Sequence, residues 1–227
     1  MVNHWQGSFW SDRRQAGQEL AQRLASWHGQ AQRGVVIGLP RGGVEVAAEV
    51  ARALGLPLAT WAVRKLAQPA NPELALGAIA PGGVELWDEP YAGHLRLDAA
   101  SRRQIVAEQQ QELQRRQRLY GDPAAAELAG RDLLVIDDGI ATGMTVRAAL
   151  ISLRQLGPAS LTLAVPVADS QVVPLLRPLV DELLILQEVH GLGSVGEWFD
   201  RFGQVSDQRV LELLSAGRRP TAAPGSP

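Results

Sequence analysis

The sequence predicts an α/β fold, a parallel sheet flanked by helices. Three observations carry that prediction. Residues 35–63 read as one strand–helix–strand unit. Further apolar runs at 133–136, 161–167 and 182–186 alternate with stretches of helical spacing. Between 133 and 145 a strand, two adjacent acids, a small hydroxyl-rich loop and a helix start follow without a break. Apolar strands alternating with helices are the pattern of a sheet covered on both faces by right-handed crossovers.

The elements follow in order. Ser11 or Asp12 can cap a helix running to about Gly29, with Ala16, Leu20, Leu24 and Trp27 on one face. Val35 to Leu39 is a buried strand, Val44 to Leu54 a helix stopped by Gly55, and Leu58 to Val63 the next strand. Residues 66–74, with two prolines, read as a loop. Leu76–Ala80 and Val84–Trp87 read as a hairpin around Pro81-Gly82-Gly83. Residues 98–119 form a long Gln- and Arg-rich helix whose large apolar positions are Ile105, Val106, Leu113 and Leu119, with Asp98 as its cap. So thin an apolar stripe fits a surface packing element or a dimer contact, and Arg115, Arg116 and Arg118 then read as a solvated face. Helices are expected at about 145–156, 170–177 and 207–216.

Composition bounds the function. With 227 residues, 46% of them hydrophobic, the chain can bury a sizeable core. We expect one domain over 1–216, with 98–119 as a helical insertion, a small hood built from the N-terminal and 187–206 segments, and a disordered 217–227 tail rich in Pro, Gly and Ala. A net charge of −2 does not favour nucleic acid as a partner. The absence of cysteine excludes disulfides and thiolate metal sites. No apolar run approaches the ~18 residues of a membrane span. No basic-then-apolar leader opens the chain, so a cytoplasmic protein is expected.

Residues 133–145, Leu-Leu-Val-Ile-Asp-Asp-Gly-Ile-Ala-Thr-Gly-Met-Thr, carry most of the chemistry. Ligands of open parallel sheets bind beyond the carboxyl ends of strands. The loop opens a helix whose N-terminal N–H groups and positive dipole end favour a phosphate. Gly139 and Gly143 permit close approach and positive φ, and Thr142 and Thr145 add hydroxyls. Ionised Asp137 and Asp138 can only accept hydrogen bonds, which suits a vicinal diol. No Lys precedes a Ser or Thr at the helix start, so the segment is not a P-loop. An ordinary strand–turn–helix capped by Asp138 is the plain alternative, but it leaves the second acid and Ala-Thr-Gly-x-Thr unexplained.

Pro40-Arg-Gly-Gly43 repeats the same strand-to-helix geometry, with Arg41 as a charged fork for phosphate oxygens. A tight turn needing glycine is its simpler reading. Lys65 is the single lysine among 22 basic residues. It stands at the end of a strand, beside Arg64. Gly191-Leu-Gly-Ser-Val-Gly196 spells a dinucleotide fingerprint, but too little chain follows for the rest of its βαβ unit. Ser194 is no nucleophile elbow, because Leu192 takes the first glycine position.

On these motifs the chain resembles the type I phosphoribosyltransferases. Gly34-Val-Val-Ile-Gly-Leu-Pro-Arg-Gly-Gly43, Val63-Arg-Lys-Leu66, Asn71-Pro-Glu-Leu-Ala-Leu-Gly77 and the opening Phe9-Trp-Ser-Asp-Arg-Arg-Gln-Ala-Gly17 resemble a bacterial subgroup of that family. The likeness covers residues 9 to about 215. It implies that Asp137 and Asp138 hold the ribose hydroxyls of phosphoribosyl pyrophosphate. Gly139, Ile140, Ala141, Thr142, Gly143, Met144 and Thr145 would hold its 5-phosphate. Arg41, Gly42, Gly43, Arg64 and Lys65 would hold the pyrophosphate, in a loop that often has unusual peptide geometry. Residues 67–74 correspond to the lid that shields the reacting sugar from water, with Asn71 and Glu73 as its polar members. Mg²⁺ is implied as cofactor, carried on the substrate's pyrophosphate and diol oxygens rather than by direct protein ligands.

The implied activity is transfer of the 5-phosphoribosyl group to a nitrogenous base or related nitrogen nucleophile, within nucleotide metabolism. A homo-oligomer, a dimer, is expected with it. Ala141 stands where several 6-oxopurine enzymes carry a third acid. That disfavours a hypoxanthine or guanine acceptor and leaves the general base open among Glu73, Glu197 and His190. Trp198 and Phe199 are read either as a stacking surface for the acceptor base or as core. A different class also fits: a non-catalytic regulatory protein that binds phosphoribosyl pyrophosphate or a nucleotide, favoured by the missing acid and the basic patch at 115–118.

Overall fold

The computed structural model describes residues 9–68, 71–95 and 97–217, with backbone alone at 68, 71–75 and 91. Of the tail expected at 217–227, Gly217 instead closes the last helix and the rest lies outside the described residues. Five parallel strands form the main sheet: β1 (Gly34–Gly38), β2 (Leu58–Thr60), β6 (Asp132–Ile136), β7 (Ser160–Asp169) and β8 (Glu182–Val189), in the order β2-β1-β6-β7-β8. The intervening β3 (Arg64–Gln68), β4 (Asn71–Ala80) and β5 (Val84–Trp87) make a separate antiparallel sheet. The predicted α/β architecture is therefore present, with a second sheet inserted between β2 and β6.

Alternation along the strands builds two cores. Val35, Ile37, Leu133 and Val135 face the layer that holds α6 (Met144–Arg154). Val36, Leu134 and Ile136 face the layer holding α1 (Arg13–Arg23), α2 (Gly42–Leu54) and α8 (Asp207–Gly217). Nine of the ten residues of β7 are buried, as expected of a strand covered on both faces. Side-chain caps fall where expected: Asp12 accepts from the Gln15 N–H, and Asp98 from that of Ser101.

Several boundaries differ from expectation. The first helix ends at Arg23, and a single 3₁₀ turn at Ala25–Trp27 follows. The strand begun at Leu58 stops at Thr60, because the chain then leaves for the second sheet. The helix expected at 170–177 shrinks to α7 (Val173–Leu176) and a 3₁₀ turn at Arg177–Leu179, each with a proline in its first positions. Of the expected loop at 66–74, residues 66–68 and 71–74 instead belong to the antiparallel strands β3 and β4, with register shifts on both sides of Ala67, and 69–70 lie outside the described residues. Pro72 is tolerated because the β3 register jumps from Ala75 to Asn71 and β5 pairs only with Gly77–Ala80, so 72–74 have no ladder partner on either side among the described residues. Two short helices were not anticipated, α3 (Glu89–His94) and α5 (Ala125–Leu128).

The polar helix exists as α4 (Ala99–Tyr120), closed by Gly121. It lays Ile105 and Leu113 against Leu66, Leu76 and Ile79 of the antiparallel sheet. Asp122, just beyond it, accepts from the Ala62 N–H and the Thr60 hydroxyl, both at 2.7 Å. It thus pins the point where the chain passes between sheets. Ser152 of α6 makes the matching tie, accepting from the Trp61 indole and donating to the Pro81 carbonyl.

Burial pushes the Asp122 carboxyl up to about 6. A carboxyl raised on folding contributes stability that is full below its unfolded value near 4 and is lost as pH rises through about 6. Asp122→Asn keeps an acceptor for Ala62 and removes the charge. We expect it to match the wild type at pH 4 and to exceed it by roughly 2–3 kcal/mol at pH 7.5. Urea unfolding across that range measures the difference, and parallel curves for the two proteins would contradict it.

Candidate active site

β1 and β6 are neighbours, and their crossovers leave in opposite directions, β1 toward β2 and β6 toward β7. The loops at their carboxyl ends therefore face one another across a topological switch point. The approach is close. A Cβ at Gly42 would overlap Asp138 Oδ2, and one at Gly43 would lie 2.7 Å from Asp137 Oδ1 and 2.8 Å from its Cα. Glycine was expected here for the sake of a ligand; the acidic pair of the protein itself already requires it. The Pro40–Arg41 peptide bond is cis.

The two carboxylates are half-buried and differently held. Asp138 Oδ2 accepts from Arg13 Nε at 2.7 Å, while Asp137 Oδ1 accepts from the Asp138 N–H at 2.9 Å. Burial raises both carboxyls above the usual carboxylate range. The charge of Asp138 raises Asp137 further, whereas the Arg13 guanidinium pulls Asp138 back down. Arg13 is itself buried, 7% exposed. Its guanidinium lies 3.6 Å from the Phe202 ring centroid and donates to the Gly203 carbonyl at 2.9 Å. Sequence reasoning missed Arg13, although it lies within the Phe9–Gly17 opening that carried the family likeness.

Two cavities meet at the acidic pair. One, of about 610 Å³, is lined by the loop from Gly139 to Gly143 together with Asp88 and Gly193–Val195. The other, of about 540 Å³, is lined by Pro40–Gly42, Arg64, Gln109 and Arg116. Lys65, Asp137, Asp138 and Thr145 line both. The N-termini of α2 and α6 open here, and neither carries a side-chain cap. The outer helices α1 and α4 are both capped by aspartate. Uncapped N–H groups aimed into a crevice are what an anion needs.

Individual members of the two loops separate on inspection. Gly143 has φ +71° at the start of α6, whereas a Cβ at Gly139 would press on Val195 at 2.5 Å. The Ile140 N–H is bonded to the Val167 carbonyl at 2.9 Å and its side chain is buried, so Ile140 cannot offer that N–H to a phosphate. The Met144 side chain is also core, against Arg147. Arg41 pairs with Asp207 at 3.5 Å. Arg64 donates twice to Gln109 Oε1, at 3.1 and 2.8 Å. Lys65 is exposed between the cavities.

The aromatic pair is not a platform. Phe199 is 5% exposed and packs on Trp10 and Phe202, with ring centroids 5.4 and 5.0 Å apart, so both its faces are occupied. Trp198 packs on Phe9 and lines neither cavity. What this segment offers the cavity is Gly193–Val195. It is fixed by Asp169, whose carboxylate accepts from the Leu192 and Gln171 N–H groups. Of the base candidates, His190 and Glu197 are exposed and line neither cavity, and the Glu73 side chain falls outside the described residues. Asp88, which lines the phosphate-loop cavity, went unnoticed in the sequence because nothing local marks it.

With the geometry in place, the comparisons are consistent. Residues 12–184 match the family model described as a phosphoribosyl transferase domain. The chain belongs to that family. Two proteins of Mycobacterium tuberculosis, strains H37Rv and CDC 1551, each named "Putative phosphoribosyl transferase", are 41% identical over 216 residues, 95% of this chain and 48% of theirs. The chain thus spans about half the length of the curated relatives it matches. The crystal structure of TT1426 from Thermus thermophilus is similar with a TM-score of 0.69 at 41% identity, covering 90% of this chain and 97% of that one. Among the described residues no helix is long and apolar enough to cross a membrane.

Removing one partner of a buried ion pair strands the other charge, at a cost of about 3–5 kcal/mol. Arg13→Met is expected to lose stability on that scale at pH 7, and Arg13→Met with Asp138→Asn should recover part of it. Guanidinium unfolding of the single and double variants measures the coupling. Additive losses would mean that the pair contributes nothing as a pair.

Proposed function

We propose that the protein transfers the 5-phosphoribosyl group from phosphoribosyl pyrophosphate to a nitrogenous base or related nitrogen nucleophile, releasing pyrophosphate. One observation carries the reading: the acidic pair forms the shared wall of two cavities, each opening on an uncapped helix N-terminus. A ribose with a phosphate at one end and a pyrophosphate at the other presents its diol between two anionic groups. Asp137 and Asp138 take the hydroxyls. The N–H groups around Ala141–Thr145 and the Thr142 and Thr145 hydroxyls take the 5-phosphate. Arg41, Arg64 and Lys65 take the leaving group.

The acceptor's nitrogen lone pair attacks C1 of the ribose as the C1–O bond breaks. The bonding pair leaves with pyrophosphate, and the acceptor's proton passes to a base. Positive charge grows on the sugar beside two carboxylates, and negative charge grows on the leaving group beside fixed cations. These groups need no reorganisation at the moment of reaction. Mg²⁺ fits the same arrangement: the oxygens of Asp137 and Asp138 are hard donors beside the place the diol would take, and phosphate and diol oxygens would supply the rest of its shell. When bound with the substrate, it would neutralise phosphate charge. The hairpin of β3 and β4 stands in the place of the lid, and Glu73 or Asp88 is the candidate proton acceptor.

The regulatory alternative drew support from a basic patch free to meet nucleic acid. Arg115 is instead tied to Glu112 and Asp207, and Arg116 to Glu112. A dimer acting in the cytoplasm belongs to the proposed reading.

The reading is tested by turnover of phosphoribosyl pyrophosphate with Mg²⁺ and a panel of bases, alongside calorimetric binding. Release of pyrophosphate dependent on one base is expected, with 6-oxopurines the disfavoured acceptors. Asp138→Asn should weaken donor binding by about 1.5–3 kcal/mol. Tight binding with no turnover on any base would leave the regulatory reading standing.

A further inference from the structure

Helix α4 was expected to turn its polar residues to solvent or to a second subunit. One row of it instead reaches the pyrophosphate end of the crevice. Gln109 and Arg116 are seven residues, two turns, apart on one face, and both line that cavity. The Arg116 side chain is 12% exposed, while Arg118 on the same helix is exposed.

Arg116 is held in place. Glu112, one turn earlier, accepts from Arg116 Nε at 2.8 Å and from Arg115 Nε at 2.6 Å, and the two arginines keep its carboxyl down at about 2. This bond engages the Nε of Arg116. Gln109, through its neutral amide oxygen, orients Arg64 without neutralising it. Arg41, Arg64, Lys65 and Arg116 thus bring four cationic side chains to one cavity. Carboxylate partners within 4.0 Å are Asp207 for Arg41 and Glu112 for Arg116. Among the described residues Arg64 and Lys65 have none. Burial, with the like charges of Arg116 and Arg41, lowers the Arg64 pKa. The cluster is built for a multiply charged anion that bridges several guanidinium forks.

We propose that Arg116 is a pyrophosphate-binding residue supplied by the inserted helix, with Glu112 and Gln109 as the positioning residues that aim Arg116 and Arg64. The inference rests on the phosphoribosyltransferase reading and extends its leaving-group site to α4. The helix then serves as a wall of the crevice in addition to covering the second sheet.

The test uses calorimetry on the full chain with Mg²⁺-pyrophosphate and, separately, ribose 5-phosphate as probes. Arg116→Ala should weaken pyrophosphate binding about ten- to hundredfold, the range for hydrogen bonds to a charged group, and leave ribose 5-phosphate within about twofold. Arg116→Lys keeps the charge without the fork and should fall between. Arg118→Ala removes the same charge from the same helix away from the cavity and should bind pyrophosphate like the wild type. Thermal melts check folding; should Arg116→Ala not fold, Arg116→Lys against Arg116→Gln makes the comparison. Unchanged pyrophosphate binding in folded Arg116 variants overturns the inference alone. Equal loss of both probes also overturns it, because it shows a structural role. If the wild type binds neither probe, the donor reading itself fails and takes the inference with it.

Discussion

Two glycines against two carboxylates set the geometry on which the site depends. Gly42 and Gly43 lie so near Asp138 and Asp137 that no side chain fits between them. That contact fixes how far apart the loops after β1 and β6 stand. It thereby brings the N-termini of α2 and α6 to opposite ends of one crevice. The positive ends of the two helices favour the carboxylates, but desolvation opposes them. Both acids consequently sit above their ordinary range.

Arg13 offsets part of that cost and ties distant chain segments together in doing so. It comes from the first turn of α1, reaches Asp138 after β6, and donates to Gly203. The backbone bridge between Trp10 and Phe199 runs alongside, with the Asp200 and Arg201 N–H groups bonded to the Trp10 and Ser11 carbonyls. The segments expected to form a hood are thus anchored on the acidic pair. Their aromatic residues are used to enclose the Arg13 guanidinium and its neighbours, and this is why Phe199 has no free face.

What the sequence disclosed and what it concealed divide by distance along the chain. The strand, acids, loop and helix of 133–145 stand in consecutive order, so their local geometry was legible. So were the caps at Asp12 and Asp98 and the stop at Gly55, each defined within one turn. The partnerships of Arg13 with Asp138, of Asp122 with Ala62 and of Arg115 with Asp207 span 125, 60 and 92 residues. No local pattern marks them. Pro72 concealed the start of β4 because a proline argues against a strand unless one side goes unpaired. In α4 a thin apolar stripe gave the right element and its packing on the surface of a sheet, but not the row that reaches the crevice. Arg115 and Arg116 meet acids on α4 itself and on α8, and spacing alone cannot distinguish such a row from a solvated one.

Charge also divides the crevice. The acids, with Lys65, occupy the middle, arginines one end, and an uncapped helix terminus with Thr142 the other. A ligand with two unequal anionic ends is oriented by that asymmetry before any shape is read. On the proposed reading, selection of the acceptor falls to Gly193–Val195 with Asp88, which line the phosphate-loop cavity. Two of these four residues are a glycine and a serine, so this wall presents mostly backbone and short polar groups. Asp169 holds it by taking the Leu192 N–H. On that reading an acceptor would meet hydrogen-bonding backbone edges here rather than an aromatic face.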